Sequence, residues 1–223
     1  MTDTTAAERG WGSGWPNCQE SKMVQHETLG TTFTWRREMT TIFDYLVRRY
    51  DAVIENFQGG GDDYAFACRP IRGTRTASNH SWGLALDLNS AKHPLGEHGT
   101  FNSQQLLHGH LMVAEMRFVR WGEDYVTRKD GMHWEWMGTL SDAYSLTRRI
   151  KALDAWPKFD GNTLTPGERG QRVAMVQKRL HVPITYSMDS RTVSAVRAFQ
   201  AQRHLNVTGS VYDGCWWHLA WKL

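Results

Sequence analysis

The chain is organised around Ser78-Asn79-His80-Ser81-Trp82-Gly83-Leu84-Ala85-Leu86-Asp87-Leu88. Leu84, Leu86 and Leu88 alternate with Ala85 and Asp87, the period of a half-buried strand. Gly83 opens that strand and lets the backbone turn tightly between His80 and Asp87. A carboxylate on a short apolar strand needs a partner, because burying an unpaired charge is costly. A second block, Asp130-Gly131-Met132-His133-Trp134-Glu135-Trp136, supplies one. His80, Asp87 and His133 together make three candidate metal ligands. Two His and one carboxylate suit a catalytic zinc that keeps its fourth position for water. Zinc lowers the pKa of that water and makes it a nucleophile at neutral pH.

Asp130 is the candidate acid or base beside this set. It precedes His133 by three, so on an ideal strand the two side chains would point to opposite faces. Gly131 offers the freedom for a kink that brings both to one site. Glu135 is the rival base; two residues from His133, it shares a strand face with it. It is better suited to orienting a ligand.

The pattern Ser-x-His-x-x-Gly-x-Ala-x-Asp, followed later by an acidic residue, two positions and a His, resembles the zinc peptidases that act on bacterial cell-wall peptides. These are the D-alanyl-D-alanine carboxypeptidases of the VanY type and the L-alanyl-D-glutamate endopeptidases of phage endolysins. Ser78, His80, Gly83, Ala85 and Asp87 fall on the motif. The resemblance implies His80, Asp87 and His133 as zinc ligands and Asp130 as the base, where the family often has Glu. It also implies an Arg after the preceding strand that binds substrate or stabilises the oxyanion. By position this is Arg69, with Arg72 as substitute and Arg75 a third candidate.

With 223 residues, 40% hydrophobic and 22% charged, the chain reads as globular rather than disordered. Its length suits one large domain or two unequal ones. No apolar run approaches a membrane span. Met1–Glu8 has neither the basic nor the apolar region of a secretory signal. That fits an enzyme held in a host cytoplasm until the membrane is breached, as phage endolysins are. Cys18, Cys68 and Cys215 make no framework, so free thiols are expected, with a Cys18–Cys68 bridge as the alternative. The eleven Trp read mostly as core.

Residues 1–35 show no sustained period and read as irregular. Met39, Ile42, Phe43, Leu46, Val47 and Tyr50 recur at helical spacing and predict a helix over 36–50. Residues 59–63 form a loop and Tyr64–Cys68 a strand. Residues 103–118 form a helix with Leu106, Leu107, His110, Leu111, Ala114 and Phe118 on one face. Val119–Gly122 and Met132–Glu135 are short strands. A helix over 141–153, capped by Ser141 or Asp142, closes the domain. His93 and His98 have the wrong spacing for ligands.

From Trp156 onward nine Lys and Arg face four Asp and Glu, a basic excess that suits an anionic partner. After Pro166-Gly167 come three helices: one with Val173, Val176 and Leu180; one starting at Asp189 or Ser190 with Val193, Val196 and Phe199; and one capped by Asp213 that holds Trp216, Trp217, Leu219, Ala220 and Trp221. Gly170, Val173, Val176-Gln177, Leu180, Thr192-Val193, Ala195-Val196, Phe199-Gln200, Leu205 and Gly209 resemble a peptidoglycan-binding domain of the kind appended to wall hydrolases. That family usually has Asp-Gly-x-Phe-Gly before its second helix; His181–Asp189 does not.

The expected fold class is α+β: a small antiparallel sheet with flanking helices around a zinc site, then a small three-helix domain. The expected organisation is a catalytic domain over 1–155, a linker over 156–165 and a wall-binding-like domain over 166–223. The expected activity is zinc-dependent hydrolysis of an amide bond in the stem peptide or cross-link of peptidoglycan, by an endolysin and by endopeptidase action. The expected partner is bacterial peptidoglycan, met by a monomer, without nucleic acid or membrane. A non-catalytic wall-binding or virion protein is the alternative, though it needs no open three-ligand site.

Overall fold

The structure is a computed structural model that describes residues 5–60, 63–154 and 156–220. Gly61 and Asp62 of the expected loop, Met1–Thr4, Ala155 and Trp221 lie outside the described residues. The chain divides into two compact units, residues 1–150 and 151–223. The architecture is α+β, with two small antiparallel sheets and several helices.

In the first unit the expectation of irregular structure over 1–35 fails. Met23–Thr28 (β1) and Thr31–Arg36 (β2) pair antiparallel, Met23 opposite Arg36 and Thr28 opposite Thr31. The two-residue turn is Leu29-Gly30, both at positive φ, 49° and 78°. Such turns are usually announced by Asn-Gly, and Leu in the first position hides this one. β1 buries only Thr28, so it carries no apolar alternation to read. Thr40–Val53 (α1) follows a short 3-10 turn and buries Ile42, Phe43, Leu46, Val47 and Tyr50, the face expected.

The second sheet consists of Ala85–Asp87 (β3), Val119–Trp121 (β4) and His133–Trp136 (β5), in the order β3-β5-β4 and all antiparallel. Ser103–Met116 (α2) lies between β3 and β4 in the chain. Asp87 is opposite His133, and Ala85 is opposite Glu135. On β4, Arg120 is opposite Glu135 and Trp121 is opposite Trp134. Because side chains alternate along a strand, Asp87, His133, Glu135 and Arg120 share one face. Trp134 is on the other, stacked on Trp121 at 4.8 Å and meeting Tyr50 of α1 edge-on at 6.1 Å. β3 was expected to be half-buried, but Leu84 to Leu88 are all buried. Trp11, Trp35, Trp121, Trp134 and Trp136 are buried too, so these five Trp serve the core.

α2 occupies nearly the expected span but turns a different face inward. Gly109, Met112 and Met116 are buried, while Leu107 and Leu111 are exposed. The cause is Trp121: a Cβ on Gly109 would lie 2.2 Å from its ring, so the indole can pack only where the helix has no side chain. Tyr64–Cys68, expected as a strand, bends at Ala65 and joins no sheet. Its backbone bonds instead go to three places: Phe66 N donates to Thr34 O, Ala67 N to His80 O, and Tyr64 O accepts from Asp87 N. Leu140–Asp154 (α3) starts from a reciprocal Thr139–Asp142 pair, so Thr139 rather than Ser141 or Asp142 is the capping residue.

Free thiols at Cys18 and Cys68 were also expected. These two instead form a disulfide across a sequence separation of 50, leaving Cys215 buried and unpaired. Closing a loop of that length restricts the unfolded chain by about 4 kcal/mol in the chain-entropy treatment. Reduction, or a Cys18→Ser/Cys68→Ser variant, should therefore lower the stability of the first unit by about 2–4 kcal/mol. Urea unfolding with and without reductant measures this, and equal midpoints would exclude it.

The second unit contains Gln171–Leu180 (α4), Ser190–Gln202 (α5) and Asp213–Ala220 (α6). Val173, Val176, Leu180, Val196, Phe199, Trp216 and Leu219 form its core. Leu164 belongs to this core, and Trp156 and Phe159 pack against it, so residues from the 156–165 segment take part in the unit. Asp189 caps α5 by accepting from Thr192 N. Two fully buried amides hold the loops after α4 and α5 alike. Gln177 accepts from Thr185 N and Tyr186 N and donates to Ser187 O; Gln200 accepts from Thr208 N and Gly209 N and donates to Ser210 O. His181, the C-cap of α4, and His204, the residue after the C-cap of α5, both sit at positive φ. The unit thus repeats one helix–loop element, and both Gln side chains are spent on the loop backbone and on threonine hydroxyls of the unit.

Candidate metal centre

Ser78 starts the site. Its hydroxyl caps the 3-10 turn Asn79–Trp82, which presents His80, and Gly83 ends that turn in the left-handed region at φ 66°. A Cβ on Gly83 would lie 2.6 Å from the backbone nitrogen of Arg36, so both conformation and space require glycine. β3 then delivers Asp87 and β5 delivers His133, directly across the ladder. All three side chains are buried, and their ligand atoms lie within 4.8 Å of one another.

Three atoms converge. His80 Nε2 is 3.1 Å from His133 Nδ1; His133 Nδ1 is 3.0 Å from Asp87 Oδ1; His80 Nε2 is 3.4 Å from Asp87 Oδ1. The hydrogen bonds around them fix what they offer. His80 Nδ1 lies 2.5 Å from the Ala65 carbonyl, which only accepts. Nδ1 therefore carries the proton and Nε2 a lone pair. On the far side of His133, Nε2 is 3.5 Å from Glu135 Oε2, which holds the Nε2 proton, so Nδ1 is the atom that would bind a metal once it gives up the proton it shares with Asp87. Two imidazole nitrogens and a carboxylate oxygen thus face one point. Ligands about 2.0–2.1 Å from a tetrahedral ion are spaced about 3.3 Å apart, so the observed triangle matches one face of such a polyhedron.

The electrostatics agree. Burial opposes charge on Asp87, but His80 and His133 outweigh it and hold the carboxyl well below its usual range. Burial likewise opposes charge on His133. Hydrogen bonds to Asp87 and Glu135 win, and its pKa is pushed up to about 10. These surroundings call for positive charge at the centre, and the group could hold a metal ion.

The centre opens on a cavity of about 580 Å³, lined by His80, Asp87, His133, Asp130, Glu135, Tyr64, Arg69 and Arg72 among others. Arg75 is exposed and not part of that lining. Asp130 and Glu135 differ sharply. Asp130 precedes β5, in a turn closed by a 3.0 Å bond from His133 N to Asp130 O. Its Oδ1 is buried without a hydrogen-bond partner among the described residues, and burial raises its pKa, with Asp87 adding to the rise. Gly131 permits this turn through space rather than unusual torsion: its φ is not positive, and a Cβ would meet Phe101 at 2.8 Å. Glu135 is instead saturated. It accepts from Arg120 Nε at 2.6 Å, from Tyr125 OH at 2.5 Å and from Asn79 Nδ2 at 2.5 Å. Despite burial, His133 and Arg120 keep its carboxyl far below the usual range.

Several of these supports carried no signal in the sequence. Asn79, Arg120, Tyr125 and Tyr64 reach the site through contacts that periodicity does not encode. Asn79 in turn accepts from Arg9 Nη2, which ties the N-terminal turn Ala7–Trp11 to Glu135. His93 is structural: its Nε2 is 2.9 Å from Glu55 Oε1, and its ring stacks on Phe101.

A buried His-Asp-His group beside a carboxylate of raised pKa, all on one cavity, is the kind of arrangement found in metal-dependent hydrolases. Residues 72–136 match a family model described as D-alanyl-D-alanine carboxypeptidase. That span holds His80, Asp87, Asp130, His133 and Glu135, but neither Tyr64 nor Arg69. No curated protein and no solved structure matches the chain.

Proposed function

We propose that the chain is a zinc-dependent peptidase that hydrolyses an amide bond in the peptide part of bacterial peptidoglycan. The observation that carries this reading is the His80–Asp87–His133 triangle, with donor spacings suited to a four-coordinate ion, beside an Asp130 carboxylate whose Oδ1 has no hydrogen-bond partner among the described residues. The match of 72–136 to a D-alanyl-D-alanine carboxypeptidase model supports that substrate class. Zinc bound there would supply a water of lowered pKa as the nucleophile.

The remaining roles belong to the chain's own groups. Asp130 accepts the proton of the attacking water and passes it to the leaving amine, work that a half-buried carboxyl of raised pKa is suited to. Glu135 accepts a hydrogen bond from Nε2 of His133 and keeps that ring turned toward the centre. Arg69, on the same cavity, offers a fixed positive charge to the carbonyl oxygen as it gains charge. The second unit, with its basic excess and its resemblance to wall-binding domains, holds the enzyme on its polymeric substrate. In this reading the protein is an endolysin, made in a host cytoplasm and acting on the wall after the membrane is breached. It cuts inside the peptide.

A carboxypeptidase is the second reading, favoured by the description of the matching family and by Arg69 and Arg72 on the cavity, which could read a terminal carboxylate. Incubating purified walls with the protein tests both. The expected result is one zinc per chain, release of free amino groups, and muropeptides whose masses show an internal cut. Loss of single terminal residues would favour the carboxypeptidase. Absence of both metal and cleavage would sink the peptidase reading.

A further inference from the structure

Tyr64 lies outside the span of the family match, and its sequence context suggested only a strand residue. In the structure it is tied to the metal centre in three ways. Its carbonyl accepts from the backbone nitrogen of Asp87 at 2.9 Å, and the next carbonyl, Ala65 O, lies 2.5 Å from His80 Nδ1. Its ring sits over the His80 imidazole, with centroids 4.8 Å apart. Its hydroxyl oxygen accepts from Arg69 Nη2, while Arg69 Nη1 donates to the Pro70 carbonyl at 3.3 Å. Tyr64 and Arg69 both line the cavity that holds His80, Asp87, Asp130 and His133.

An arginine side chain has many rotamers, and an electrostatic donor is effective only where it is already in place when charge develops. Here the guanidinium is held at both terminal nitrogens, and one of the two holds comes from a residue whose own backbone is bonded to a candidate ligand. We infer that Tyr64 is a positioning residue: its hydroxyl fixes the Arg69 guanidinium beside the metal centre, so that the guanidinium meets the scissile carbonyl without first having to be ordered. This rests on the peptidase reading above. The same Tyr64 hydroxyl is within hydrogen-bonding reach of the Asp87 carboxylate, so removing the oxygen takes away that contact together with the hold on Arg69, and leaves the ring on His80 and the backbone bonds in place.

Tyr64→Phe, Arg69→Ala and the double variant test this. In Tyr64→Phe the zinc content at saturating metal should stay at the wild-type value, because Asp87 loses only the phenol contact and keeps its His133 partner. kcat should fall about ten- to a hundredfold with KM little changed, the scale expected when a catalytic group is displaced by about an ångström. In the Arg69→Ala background, Tyr64→Phe should have no further effect. Added guanidinium ion should restore part of the activity of Arg69→Ala, and none in the double variant, where the phenolic acceptor is gone. Wild-type kcat in Tyr64→Phe would overturn the inference. So would a Tyr64→Phe effect that persists undiminished without Arg69, and so would loss of zinc in Tyr64→Phe, which would mean the residue supports the ligands instead. A wild-type protein inactive on walls would remove the peptidase reading itself, an outcome distinct from these.

Discussion

Alanine at His80, Asp87 or His133 should abolish metal uptake and activity together. Each ligand is one corner of a triangle with 3.0–3.4 Å sides, and two remaining donors do not define the site. Loss of an outer partner of a metal ligand already costs about 10–100-fold in affinity, so loss of a ligand should cost more than about a hundredfold. The three variants should differ in stability. His133→Ala leaves Asp87 and Glu135 buried without the imidazole between them, and breaking a buried pair this way costs about 3–5 kcal/mol. Asp87→Asn keeps the shape and removes the charge, so it separates the two effects: a folded chain, poor in metal and inactive. Metal analysis, thermal unfolding and amine release on the same samples check this. Full metal occupancy in any of the alanine variants would exclude that residue as a ligand.

The second large effect is at Asp130. Asp130→Ala or Asp130→Asn should keep the metal and lower kcat by about 10²–10⁴-fold, the usual contribution of a general base. The reason is the contrast with Glu135. Asp130 Oδ1 is buried and unpaired among the described residues, whereas Glu135 accepts from Arg120, Tyr125 and Asn79. The working form of a base is the carboxylate. Activity should therefore rise with pH through the Asp130 pKa, which burial places above its ordinary value of 3.8. That acid limb should disappear in Asp130→Asn. Glu135→Gln should instead weaken metal binding by about 10–100-fold. If Asp130→Asn stays active while Glu135→Gln keeps its metal and is inactive, the two roles are exchanged.

The part of the site that was readable in the sequence is the part encoded locally. Ser78, His80, Gly83 and Asp87 fall within ten residues, and each has a local place: cap, candidate ligand, left-handed turn, candidate ligand. The α+β class and the three C-terminal helices were readable for the same reason, since periodic apolar residues mark their own faces. What was not readable depends on distant pairings. The β1–β2 hairpin is hidden because its turn uses Leu29 and its first strand is polar. The inward face of α2 is chosen by Trp121, not by the helix's own leucines. The shell of Tyr64, Asn79, Arg120 and Tyr125 is assembled by β-sheet register and an extended segment, neither of which leaves a mark on residue spacing. The Cys18–Cys68 bridge is likewise a matter of which segments meet.

Asp87 and His133 face each other in a ladder whose outer strand, β3, is only three residues long. A one-residue slip of so short a strand would turn Asp87 to the opposite side of the sheet and bring Leu86 or Leu88 to the metal centre. The bonds from Leu88 N to Met132 O, Trp136 N to Leu84 O and Asp87 N to Tyr64 O count against that error, as does the cost of turning a charge into an apolar layer. A metal bridging Asp87 and His133 would penalise it further, and would then act as a lock on strand alignment as well as a reagent.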